Sequence, residues 1–460
     1  MARRLRRRGD PHQPGAPAHA AANLATGVVQ AAPQPLPSRR KPSMKIPLTS
    51  SCAATAVALA ILGASPAARA QDATMPTAQP ATAEPAPTEP TAPATPALQP
   101  SIASTLSAAP VRVDAGPLGP LWFGGIVSGL VQGQSHATAN DHTWQADLGN
   151  AQVFVNKADG MLQFFLQAGY YSVPVLGVPY QRADRATPAL FNAVPQGYLK
   201  LALSDSLSIQ AGKLPTLIGA ESTFTFQNLN IQRGLLWNQE NAVNRGVQVN
   251  YASGPLTLSA SVNDGFYSQR YNWVSALASY AFDDSNTLTF SGGASTRRSD
   301  VSTTATPVLQ NNQQIYNLIY AHTQGAWTLQ PYVQFTHVPS LPTQGTGAAS
   351  TYGAALLMSY DFGNAATPAA LRLPGFKLPL RLEYIASTGD AASGAANLLY
   401  GPGSAAWSLT LTPTYQYQRF FARVELSYVG ARKTAPGLAF GADGNRRGQV
   451  RGVLEVGMLM

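Results

Sequence analysis

From Leu121 to the C-terminus, apolar and polar residues take turns at every second position, segment after segment. In Leu256-Thr257-Leu258-Ser259-Ala260-Ser261-Val262-Asn263 every other residue is apolar. Trp327, Leu329, Val333 and Phe335 alternate with Thr328, Gln330, Tyr332 and Gln334, and Trp407, Leu409 and Leu411 alternate with Ser408, Thr410 and Thr412. Phe420, Ala422, Val424, Leu426 and Tyr428 alternate with Arg419, Arg423, Glu425 and Ser427. A period of two is the pattern of a strand with one apolar and one polar face, and no helical stripe of useful length competes with it.

The pattern predicts strands over 121–132, 145–157, 161–172, 196–204, 206–213, 245–252, 255–264 and 271–282. It continues over 286–296, 313–323, 326–337, 350–361, 378–388, 405–416, 419–429 and 448–459. The links between them sort by length. Those after even strands are tight, among them Ala158-Asp159-Gly160, Asp205, Ser253-Gly254 and Gln324-Gly325. Those after odd strands are long, the longest being 214–244. One link, 362–377 with Pro368 and Pro374, is long on the short side. A soluble sandwich or a propeller would not sort its loops this way. The reading is all-β: a transmembrane antiparallel β-barrel of about 16 strands (14–18), with short periplasmic turns and long extracellular loops.

Composition fits. Charged residues are 12% of the chain and apolar residues 45%, whereas a soluble domain carries about 25% charge. No uninterrupted apolar run reaches the ~18 residues of a membrane helix. In lipid every N–H and C=O must be paired, which a closed barrel achieves. Trp122, Trp144, Tyr280, Phe282, Trp327, Tyr415 and Phe420 lie near strand ends and are expected in the interfacial girdles. Val262, Leu329, Leu409, Val424 and Leu426 are expected to face lipid. Gln330, Thr410, Arg423 and Glu425 are expected to face a wetted lumen, where Glu425→Gln would barely affect folding.

The chain before the barrel divides into three. Residues 44–70 read as a signal peptide: Lys45, the apolar run Ala53 to Leu62, then Ala68-Arg69-Ala70 as the cleavage site. Residues 1–43 read as a spurious extension ahead of Met44. Residues 71–120 form a Pro/Ala-rich linker, expected to be disordered and periplasmic, and 121–460 is the barrel. The net charge of +9 comes from the leader: residues 1–70 hold ten of the 31 Lys/Arg and one of the 22 acids, so the rest is balanced. Nothing there calls for nucleic acid. Cys52, the one cysteine, goes with the signal, which excludes disulfides and thiolate sites.

The segment Ala211-Gly212-Lys213-Leu214-Pro215-Thr216-Leu217-Ile218-Gly219-Ala220-Glu221 resembles the β-barrel porin-2 (OmpL-like) family of bacterial outer-membrane proteins. The resemblance continues through Asn228-Leu229-Asn230, Arg233-Gly234-Leu235-Leu236, Gly246-Val247-Gln248-Val249-Asn250-Tyr251 and Val262-Asn263-Asp264-Gly265. It covers residues 120–460 and implies a porin-like channel. One departure concerns the end, Gly457-Met458-Leu459-Met460, where such barrels usually finish on an aromatic. Either recognition by the barrel-assembly machinery is weaker, or the final residues lie outside the last strand.

The functional expectation is an outer-membrane channel for passive diffusion of small hydrophilic solutes or ions, not an enzyme. No metal or cofactor motif is present. The rival readings are a hydrolase using an outer-loop histidine (His136, His142 or His337) and a non-conducting adhesin or anchor. Segment 214–244 is apolar enough to fold into the lumen, the alternative being an outer cap with its charges solvated, and its Glu221, Arg233 and Glu240 are constriction candidates together with Arg423 and Glu425 on the wall. Lys213 and Arg245 have the parity of the apolar face and are expected at the rim. Expected partners are outer-membrane lipid and lipopolysaccharide, met by basic pairs such as Arg297-Arg298 and Arg446-Arg447, the assembly machinery, small solutes, and further copies in a homo-oligomer.

Overall fold

The computed structural model describes residues 105–460. The expected extension 1–43, the signal 44–70 and the linker as far as residue 104 lie outside the described residues.

The strands in chain order are β1 Val111–Asp114, β2 Pro120–Gln134, β3 Trp144–Lys157, β4 Leu162–Tyr171, β5 Gln196–Ala202 and β6 Leu207–Pro215. Next come β7 Val243–Ser253, β8 Leu256–Asn263, β9 Trp273–Ala281, β10 Asn286–Ser295, β11 Gln314–Gln324 and β12 Trp327–Val338. The last are β13 Ala349–Asp361, β14 Phe376–Ser387, β15 Ala405–Leu411, β16 Thr414–Tyr417, β17 Phe420–Arg432 and β18 Gly448–Leu459. Consecutive strands from β2 onward pair antiparallel, and β18 returns to β2 (Leu459↔Ile126 through Arg451↔Gln134), so no edge is left open. β15 and β16 both pair with β14 and β17. They are one stave broken at Thr412-Pro413, where proline has no N–H for the ladder. Among the described residues this makes a closed barrel of 16 staves, and each of the sixteen expected strands overlaps one of them.

The alternation emerges as two faces. Val262, Leu409, Val424 and Leu426 are 41–60% exposed toward lipid, while Gln330, Thr410, Arg423 and Glu425 are at most 1% exposed on the inner face. The tight turns lie on one side with both ends of the barrel. Gly254, at φ +54, takes the left-handed position that starts the two-residue Gly254-Pro255 link. The long link on that side is compact: Phe362 N–H donates to Phe376 O, Leu373 N–H to Phe362 O, and Arg372 caps the Ala365 and Thr367 carbonyls.

Three expectations need correction. Trp122 is not in the girdle: it has the inward parity of β2 and is buried, whereas Trp144, Tyr280, Phe282, Trp327, Tyr415 and Phe420 are exposed on the outside. The linker does not stay unstructured to residue 120. Leu106 packs in one apolar cluster with Ile126, Phe421 and Leu459, and the alternating Val111-Arg112-Val113-Asp114 pairs with β2 just where β18 runs out. The final residues do not lie outside the last strand. β18 runs to Leu459, and Met460 exchanges both backbone hydrogen bonds with Gly125.

Candidate functional site

The connection between β6 and β7, residues 216–242, does not cap the barrel from outside. Its ends are clamped by Thr216 N–H to Ala242 O, and between them the chain turns into the lumen. The sequence drives this. Ile218, Phe224, Phe226, Leu229, Ile231, Leu235 and Leu236 are all at most 4% exposed, and burying such side chains stabilises each by roughly 1.5–3 kcal/mol. Phe224 and Phe226 stack on each other, Phe224 meets Tyr171 edge-on, and Phe226 packs at a tilt against Phe154 of the wall.

The loop is tied to the far wall by charges. On β17, Glu425 accepts from Ile231 N–H (2.5 Å) and Gln232 Nε2 (2.7 Å), and Arg423 donates to the carbonyls of Thr225, Asn228 and Leu229 at 2.8–3.0 Å. On β14, Arg381 reaches Glu221 at 2.5 Å and Glu383 at 3.1 Å, and donates to Gln232 O. On β18, Arg451 holds Gln232 Oε1 and the carbonyls of Val175 and Val178, and Glu455 accepts from Thr225 while pairing with Arg423 at 3.5 Å. Asn230 donates to Thr412, and Gln334 of β12 to Leu236 O. The loop therefore crosses from β6/β7 to β12–β18.

Electrostatics inside the loop are uneven. Arg233 donates to the carbonyls of Thr223 and Ile231 within the loop, and burial lowers its pKa to about 10, so it stays charged at neutral pH. Burial, with Arg381 pulling back, leaves the Glu221 carboxyl above its ordinary range. Glu240 has no hydrogen-bond partner for either carboxylate oxygen. Burial first, then Glu221 and Glu383, push its carboxyl well above the ordinary range.

Residues 120–460 match the family described as Putative beta-barrel porin-2, OmpL-like. The chain belongs to this family. It is an outer-membrane channel protein of the porin kind. Solved structures similar to this β-barrel porin-2 chain include an anion-selective porin from Comamonas acidovorans (12% identity, TM-score 0.49, 74% of this chain and 99% of that one). Others are Salmonella typhi OmpF in complex with daunomycin (14%, 0.49, 76% and 100%) and the outer-membrane channel DcaP of Acinetobacter baumannii (11%, 0.48, 74% and 97%). No curated protein matches the sequence.

The structure of this porin brings together all five expected residues, Glu221, Arg233, Glu240, Arg423 and Glu425, between the loop and the wall. Glu425 is not wetted as the sequence suggested, because its carboxylate is consumed by loop backbone. Arg381, Glu383, Arg451 and Glu455 were missed. A signal existed: Arg381-Leu382-Glu383 repeats the inward charge spacing of Arg423-Val424-Glu425. Lys213 and Arg245 stand side by side near the outer rim with outward parity, as expected. Of the histidines, His337 Nδ1 lies 3.0 Å from Ser350 Oγ and His136 Nδ1 2.7 Å from Gly448 O.

Proposed function

We propose that this protein is a passive, non-enzymatic channel for small hydrophilic solutes or ions, with passage set by loop 216–242 and by Glu221, Arg233, Glu240, Arg423 and Glu425 around it. The observation that carries this reading is the polar inner face of the closed barrel, which continues onto staves to which the loop is not mainly anchored. Ser291 on β10, Asn317 on β11 and Gln330 on β12 find no hydrogen-bond partner for their side-chain polar atoms. Ser291 and Asn317 are directly paired across the ladder. A polar inner face suits hydrophilic solutes rather than a sealed apolar core. These staves lie beside the loop, which is anchored mainly to β14–β18.

The lumen is tightly filled, since even Ser291, Asn317 and Gln330 are at most 1% exposed. Single-channel conductance should therefore be small, and should rise when Glu425→Gln loosens the loop. Folded protein in a planar bilayer tests this. Complete absence of conductance, with and without the Glu425 change, would leave the non-conducting anchor. Outer-membrane lipid, lipopolysaccharide, the assembly machinery and further copies of the chain remain its proposed partners.

A further inference from the structure

The outer surface of β4–β8 carries a groove of about 1000 Å³. Gly197 and Ala211 form its floor, Leu166 and Leu199 one flank, Val247 and Val262 the other. At its outer end Lys213 and Arg245 are direct partners across β6 and β7. The groove thus has a direction: two cations toward the long loops, then apolar surface toward the membrane midplane.

Neither cation is hydrogen-bonded to a carboxylate among the described residues. Lys213 Nζ spends donors on the carbonyls of Val194 (2.7 Å) and Phe191 (3.5 Å). The Arg245 guanidinium sits over the Tyr267 ring at 3.7 Å from its centre, and its Nε is 3.9 Å from Asp264 with no hydrogen bond. Asp264 is itself taken up by the backbone N–H groups of Arg245 (2.6 Å) and Gln269 (3.0 Å). Arg245 thus has one distant, already occupied carboxylate, and Lys213 is bonded only to carbonyls.

The wall is also low here. β5 has seven residues and β8 eight, against fifteen in β2. At about 3.3 Å per residue and a tilt of ~40°, seven residues rise roughly 18 Å, short of the ~25 Å apolar band. β6 and β7, which carry the two cations, have nine and eleven residues, so the shortest strands of this face are β5 and β8 on either side of them.

We propose that this groove holds one phosphorylated glycolipid of the outer leaflet, lipopolysaccharide, with a phosphate on Lys213 and Arg245 and an acyl chain over Gly197 and Ala211. The site rests on the outward orientation of the long loops and not on whether the channel conducts. A phosphate matches the paired cations in charge and in its several acceptor oxygens, and an acyl chain matches the apolar floor below them.

The test is native mass spectrometry of the folded mature protein in detergent, titrated with bis-phosphorylated lipid A. One lipid should bind tightly, and Lys213→Gln with Arg245→Gln should weaken it by about tenfold or more, roughly 1.4 kcal/mol. Dephosphorylated lipid A should bind the unchanged protein as weakly, inorganic phosphate should not displace the lipid, and Ala211→Trp should weaken binding with both cations present. Arg419→Gln, in the turn between β16 and β17 at the opposite end of the barrel, should change nothing. Heat-shifted gel migration identifies folded variants, and Lys213→Gln alone serves if the double change does not fold. Equal affinity with and without the cations overturns the proposal, as does displacement by inorganic phosphate. Dissociation of oligomers by Ala211→Trp with lipid affinity unchanged also overturns it, because the groove would then be an interface between copies.

Discussion

Arg381 of β14 and Glu221 of the inward loop are 160 positions apart in the chain and 2.5 Å apart in space, both with side chains at most 1% exposed. The contact joins the wall to the loop, and the two partners are not equivalent. Arg381 keeps Glu383 at 3.1 Å if Glu221 is neutralised, whereas Glu221 and Glu383 both lose their cation if Arg381 goes. Removing one member of a buried pair costs about 3–5 kcal/mol because a charge is left uncompensated. Arg381→Met should therefore release the loop, read as new protease cleavage within 216–242 and a rise in single-channel conductance. Glu221→Gln should have a visibly smaller effect. Equal effects would mean that Arg381 does not hold both acids.

Neighbours on β17 separate the two faces of the wall. Val424 is 52% exposed toward lipid and Glu425 is 1% exposed beneath the loop. Val424→Arg should destabilise the barrel by roughly 2–4 kcal/mol near the midplane, measured as a lower midpoint for the heat-induced gel shift. Glu425→Gln should leave that midpoint nearly unchanged and act on the loop, through the hydrogen bonds to Ile231 and Gln232. The opposite pattern would place β17 one residue out of register, which exchanges its two faces.

The faces of the wall were legible because their cause is local: side chains alternate with the pleat, so Val424 and Glu425 follow from parity alone. The failures share a different cause. Parity says that Glu425 points inward but not what it meets there, since its partners Ile231 and Gln232 are some 193 positions away. A lumen assumed to be wet made inward charges look solvated, so Arg381, Glu383, Arg451 and Glu455 drew no notice. Trp122 failed for a simpler reason. Position near a strand end was taken as sufficient for the girdle, although its parity was that of Ile126, which points inward. The inward course of 216–242 was readable from its own composition, because a segment with Phe224, Phe226, Ile231 and Leu236 needs somewhere to bury them.

The ordering of loops and turns gives a sidedness prediction. Arg297 and Arg446 are exposed in long connections, and Asp205, Gly254 and Gly325 lie in turns at the other end of the barrel. Cysteines placed at Arg297 and Arg446 in a chain with Cys52 changed to Ser should react with a membrane-impermeant maleimide on intact cells. Those at Asp205, Gly254 and Gly325 should react only after the outer membrane is opened. Labelling of the turns on intact cells would reverse the barrel.

Glu240 supplies a pH prediction whose sign follows from its surroundings. Its carboxylate oxygens have no hydrogen-bond partner, and burial beside Glu221 and Glu383 raises its folded pKa well above the ordinary glutamate value. The folded state then holds the proton more tightly than the unfolded chain. Stability from this group is fully present below the unfolded pKa and is lost as pH rises through the raised one. Glu240→Gln removes the ionisation and keeps the shape. The variant should match the parent in mildly acidic buffer and exceed it at alkaline pH, measured as the midpoint of the heat-induced gel shift for protein in one detergent. The difference between the two curves reports this carboxyl together with its coupling to Glu221 and Glu383. A difference that stays constant with pH, or one that favours the parent at alkaline pH, would show that Glu240 is ionised in the folded barrel and held by a cation.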